Sequence, residues 1–86
     1  MIDLTQEQKD KIQENTIKDY GVITFESYHS TDGEVAVTNI NLNKQPGFYA
    51  ERLYTLKNKG ENVLVSKDSG AILDEYVKIM LAKLKL

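Results

Sequence analysis

Three turn signals fall at nearly even intervals through the middle of this 86-residue chain: Asp32-Gly33, Pro46-Gly47 and Lys59-Gly60. The stretches between them are rich in Val, Ile, Tyr and Thr. Glycine-bearing turns around β-branched and aromatic segments predict an antiparallel meander. Nothing else in the chain constrains the fold as strongly, and no segment declares a chemistry.

The flanks of that meander read as helices. Thr5-Gln6-Glu7-Gln8 fits a capping box, with good helix formers following to about Asp19. This first helix has almost no apolar stripe. Ile12 and Ile17 lie about 140° apart on a helical wheel. It is therefore a largely solvated helix, or a short one that ends before Ile17. The last helix is better defined. Asp68-Ser69 caps it, Asp74 and Glu75 sit early, and Lys83 and Lys85 sit late, as the helix dipole prefers. Leu73, Tyr76, Val77, Met80, Leu81 and Leu84 form its packing stripe. Ile72, Ile79 and Leu86 widen the apolar arc to roughly 220°, beyond the ~100° a surface helix must bury.

Within the meander, residues 20–28 and 34–42 read as the first two strands. The second changes parity, with Val35 and Val37 odd but Ile40 and Leu42 even. A strand of period two cannot place all four on one face, so a bulge near Thr38-Asn39 or burial on both faces is expected. Residues 48–57 fit either a short helix or a strand. The hairpin signal at Asn58-Lys59-Gly60-Glu61, followed by Val63-Leu64-Val65, favours the strand. The expected fold is α+β: an N-terminal helix, a three- to four-stranded antiparallel meander, and a C-terminal amphipathic helix across one face.

At this length the chain makes one domain with a modest core. It has no cysteine, so neither disulfides nor a thiolate zinc site can hold the fold together. The first residues lack the basic start and apolar run of a signal peptide, and no window approaches a membrane span. A cytoplasmic protein without membrane association is expected. The net charge of −2 is small, but it is unevenly spread. Residues 20–43 carry Glu26, Asp32 and Glu34 and no basic residue, whereas 44–67 carry Lys44, Arg52, Lys57, Lys59 and Lys67 against Glu51 and Glu61. Opposed patches of this kind steer association. Ten lysines accompany a single arginine, Arg52. That bias argues against nucleic acid as a partner, because arginine makes the bidentate phosphate and guanine contacts.

Candidate sites are few. Ser27, His29, Ser30 and Asp32 bring a hydroxyl, an imidazole and a carboxylate close in sequence, but adjacent turn residues seldom aim at one another as catalysis requires. One histidine and no alternating acidic loop leave no metal site to expect. Lys67-Asp68-Ser69-Gly70 at a helix start could present amides to an anion, although Asp68 would repel a phosphate. Tyr20, Tyr28, Tyr49, Tyr54 and Tyr76 are the most suggestive group, since tyrosine is enriched in binding hot spots. Tyr49 and Tyr54, with Arg52 and Lys57 nearby, could also stack on a nucleotide.

The expectation is a small non-catalytic protein, without cofactor, that binds another protein and forms a homodimer. An inhibitor of a host enzyme, encoded by a phage or prophage, is one form this would take, in keeping with the lysine- and asparagine-rich composition. The interface is expected at Tyr49, Arg52, Tyr54, Ile72, Tyr76, Ile79 and Leu86. The alternative is an oligomeric protein that binds or sequesters a small nucleotide ligand.

Overall fold

A computed structural model describes residues 3–20, 26–46 and 49–86. Helix α1 (Gln6–Glu14) is followed by strands β1 (Thr16–Tyr20), β2 (Glu26–Ser30), β3 (Val35–Asn41), β4 (Arg52–Asn58) and β5 (Glu61–Ser66), and then by helix α2 (Ser69–Leu84). The strands form one antiparallel sheet in chain order, β1-β2-β3-β4-β5. This is the expected α+β meander with one strand more. Residues 21–25 of the expected first strand lie outside the described residues, as do Gly47 of the second turn signal and Phe48.

The additional strand, β1, comes from the segment expected to close the first helix. Its start is explained by how α1 is capped. At the N-terminus the Gln8 amide donates to Thr5 Oγ1, and the Thr5 amide donates to the Gln8 side chain, a reciprocal capping box. At the other end Asn15 Nδ2 donates to the Lys11 carbonyl and Thr16 Oγ1 donates to the Ile12 carbonyl. Side chains thus take carbonyls that a continuing helix would use. The chain leaves as β1, and Ile17 pairs with His29. Of the two readings for this helix, the short one holds.

Residues 52–58 are strand, as the hairpin signal favoured, while Tyr49 and Glu51 precede β4 in the loop. Asn43 organises that loop: its Oδ1 accepts from the Gln45 and Glu51 amides, and its Nδ2 donates to the Tyr49 carbonyl. The β4–β5 turn has φ of 53° at Lys59 and 84° at Gly60. Positive φ at both central positions fits the tight hairpin turn whose twist matches the strands. Asparagine tolerates that conformation better than lysine does.

The parity change in β3 is resolved otherwise than expected. β3 pairs with β4 without interruption from Val35↔Asn58 to Asn41↔Arg52, so that ladder has no bulge at Thr38-Asn39. Nor are both faces buried, for Ile40 is 60% exposed. Val35 and Val37 face the helices and Ile40 faces away from them. The irregularity lies instead in the β4–β5 ladder, where Leu56 pairs with Leu64 but Lys57 pairs with Asn62. Val63 is the extra residue, as in a β-bulge.

α2 packs over β3, β4 and β5, while α1 packs on α2 and β1. The buried core joins all of these: Ile12, Tyr28, Val35, Val37, Leu56, Ile72, Tyr76 and Met80. The most buried row of α2 is Ile72, Tyr76 and Met80, four residues apart, rather than a row centred on Leu73. Leu73 is 48% exposed, and Leu81 only packs against the core's margin.

Tyr76 is the centre of this core. Its ring meets Tyr28 edge-on at 4.8 Å, an arrangement favoured by the ring quadrupoles. Its hydroxyl lies 2.8 Å from Thr16 Oγ1. Because Thr16 uses its one proton on the Ile12 carbonyl, Tyr76 must donate to Thr16. Burial, the largest influence, pushes the Tyr76 phenol above its ordinary pKa, so it stays protonated to donate. Tyr76→Phe should cost about 0.5–1.5 kcal/mol, the net worth of one such bond. Tyr76→Ala should cost about 3–5 kcal/mol, as for a large buried aromatic. Chemical denaturation of the two variants checks both figures; equal costs would mean that the ring contributes little beyond its hydroxyl. Lys59→Asn should raise stability by about 0.5–1 kcal/mol through relief of the positive φ. The same titration checks this, and a loss of stability would contradict the turn geometry.

Candidate interaction surface

Strand geometry divides the cluster of Ser27, His29, Ser30 and Asp32, keeping Ser30 with Asp32 but sending His29 to the other face. His29 and Ser30 are consecutive in β2, so their side chains leave opposite faces of the sheet. His29 Nδ1 lies 2.7 Å from the Ser30 carbonyl oxygen and donates to it. Ser30 is buried on the helix side, where Oγ donates to Asp32 Oδ1 and accepts from the Val35 amide. A serine so enclosed and bonded is not poised to attack a substrate. Its role is to shape the β2–β3 turn, in which Gly33 takes a φ of 76° and donates to the Ser30 carbonyl.

Asp32 accepts from three directions: Ser30 Oγ, the Glu34 amide and Lys83 Nζ. Lys83 also reaches Glu34 at 2.6 Å. The lysine hydrogen bond, then Ser30, then the Glu34 amide hold the Asp32 carboxyl well below the usual carboxylate range. In turn Asp32 and Glu34 raise the Lys83 pKa. The acidic character of the first hairpin is therefore largely answered within the chain by the last turn of α2. Among the described residues no group of three His, Cys, Asp or Glu side chains converges as a metal site would require. The amides at the start of α2 are also occupied, since Asp68 Oδ1 accepts from Gly70 and Ala71.

The seven residues expected at an interface do not share a surface. Ile72 and Tyr76 are buried in the core and cannot meet a partner. Ile79 and Tyr54 pack against that core. Arg52 is partly buried and donates to Asn39 Oδ1 at 2.9 Å. Only Tyr49, 78% exposed on the loop, and Leu86 at the C-terminus are open. Tyr49 and Tyr54 do not form a stacking pair, because one lies on the loop and the other faces the helices. The side chain of Tyr20 lies outside the described residues. Much of the wide apolar arc of α2 is taken up because the helix packs in two directions, onto the sheet and onto α1, while Leu73 stays about half exposed.

A second group of uncovered apolar side chains lies on the face of the sheet turned away from both helices. Register defines its rows. Ile17, His29, Ala36 and Lys57 stand side by side across β1 to β4. Thr38, Thr55 and Val65 make the next row, and Ile40 with Leu53 a third. Val63 joins them by alternation about Leu64. Ile17, Val63 and Val65 are 44–46% exposed, and Ile40 more so. Sequence reasoning missed this face, although the parity change at Ile40 and the apolar residues on alternating sides of β5 were its signal. A comparison with protein-family models, with curated proteins and with solved structures finds no match to this chain.

The Asp32–Lys83 pair has a defined pH signature. A carboxylate whose folded pKa is depressed stabilises the fold above its unfolded pKa of about 3.9, and that contribution fades as pH falls toward the folded value. A lysine with a raised pKa acts fully below about 10.4 and loses its effect above that. The melting-temperature difference between the wild type and Asp32→Asn should therefore be constant from pH 5 to 9 and shrink in acid below pH 4. A difference that grew in acid would contradict the pairing.

Proposed function

We propose that this chain is a non-catalytic cytoplasmic protein that works by protein–protein association, with the open face of the sheet as its contact surface. One observation carries the proposal: a five-stranded sheet has helices on one face and exposed Ile17, Ile40, Val63 and Val65 on the other. Exposed apolar side chains gathered on one face point to an interaction site in a soluble protein. The cytoplasmic setting rests on the cysteine-free composition. An inhibitor of a host enzyme carried by a phage or prophage is one form such a protein takes, and the lysine- and asparagine-rich composition supports that form only by association.

A second reading, small-ligand binding, is favoured by a separate feature. An open cleft of about 570 Å³ lies between α1, α2 and β1, with Leu4, Ile12, Leu73 and Val77 in its walls and Lys9 and Lys18 adding positive charge. Its size is that of a small-molecule site, and its chemistry suits an anionic ligand with an apolar body, such as a nucleotide. The cleft lies on the helix side of the sheet, away from Tyr49.

Photo-cross-linking distinguishes the two readings. A benzoylphenylalanine placed at Ile40 or Val65 should give protein adducts in cells, to another protein or to the chain itself, whereas one at exposed Lys78 on α2 should not. Equal adduct yields at all three positions would overturn the sheet-face reading. A nucleotide retained through native purification and lost in Lys9→Glu/Lys18→Glu would establish the second.

A further inference from the structure

We propose that the open face of the sheet is covered by a second copy of this chain, giving a two-fold dimer in which two sheets pack face to face between outer layers of helices. This rests on the sheet-face reading above and names its occupant.

The shape of the face fits itself. Ala36, Thr38 and Thr55 lie at its middle, on neighbouring strands β3 and β4. Ile17, Ile40, Val63 and Val65 stand around them. Small residues in the centre let two sheets approach to the ordinary spacing of about 10 Å. The larger side chains around them then interdigitate, as they do inside a β-sandwich.

Charge points the same way. In the register rows that define the face, Lys57 is the one full charge among the described side chains. The described side chains of these rows offer a charged partner little beyond Lys57 to recognise. The face also presents little self-repulsion, and Lys57 on β4, next to the sheet edge, can extend its ammonium outward to water. A two-fold contact is self-complementary, which a neutral apolar face satisfies without a matching pattern on a different protein.

The area is adequate. Five strands about 4.8 Å apart and about 20 Å long make a face of about 24 by 20 Å. Burying it on two copies removes on the order of 1,000 Å², before side-chain relief adds to the total, which reaches the size of a specific interface. The core does not need this contact, because Val35, Val37, Leu56, Ile72, Tyr76 and Met80 are already buried within one chain. The dimer therefore joins two folded chains, and its loss leaves each one folded.

Light scattering tests the proposal directly. The wild type should have twice the mass of the 9.8 kDa chain at 100 μM. Thr38→Lys puts two ammonium groups against each other at the centre. It should raise the dissociation constant at least 100-fold and give a monomer with unchanged circular dichroism. Should Thr38→Lys fail to fold, Ile40→Lys makes the same test at a more exposed position. A monomeric wild type, or a dimer that survives both substitutions, overturns the self-pairing. The cross-linking experiment keeps that failure separate: adducts from Ile40 to a different protein would remove the second copy and leave the sheet-face reading standing.

Discussion

The hydroxyl and ring of Tyr76 bind together parts of the molecule that are otherwise remote in sequence. The hydroxyl reaches Thr16, which in turn holds the last turn of α1 through the Ile12 carbonyl. The ring meets Tyr28 on β2. One residue of α2 therefore fixes where α1 ends, where β1 begins and how both sit on the sheet. With few fully buried side chains among the described residues and no covalent cross-link, such shared contacts take the place of a larger core.

Lys83 does similar work at the other end of α2. It continues the buried side of the helix beyond Met80 and takes up Asp32 and Glu34 from the β2–β3 turn. Part of its value is specificity. An apolar residue there could slide along the sheet, whereas an ammonium between two carboxylates sets the position of the helix. Two of the acidic side chains of the first hairpin, Asp32 and Glu34, are thereby met by a lysine from the far end of the chain. Local charge in a sequence says little until the strands show which charges meet.

Much of the architecture was legible because its signals are local. The turns at Asp32-Gly33 and Lys59-Gly60, the capping box at Thr5 and the Asp68 cap all depend on neighbouring residues, and each is found where those residues require it. The end of α1 was harder to read, because Thr16 leaves the helix partly in response to Tyr76, sixty residues away. The burial of Ile72 and Tyr76, expected at an interface, was hard to read for a related reason. The arc on α2 is wide, but much of its width is matched by a helix and a sheet packing on different sides, which no periodicity reveals. Read from the sequence alone, the parity change in β3 fits a bulge or burial on both faces. In the fold it marks the two-sided character of the sheet itself.

The molecule is thus a sheet with one face committed to its own core and the other left open. The most direct test is solution NMR of the methyl groups of Thr38→Lys in the presence of a soluble paramagnetic agent, which broadens signals near solvent. The account predicts strong broadening at Ile17, Ile40, Val63 and Val65, with Val37 and Ile72 protected. Broadening of Ile72 to the same degree as Ile40 would contradict it, by showing that α2 rather than the sheet carries the uncovered surface.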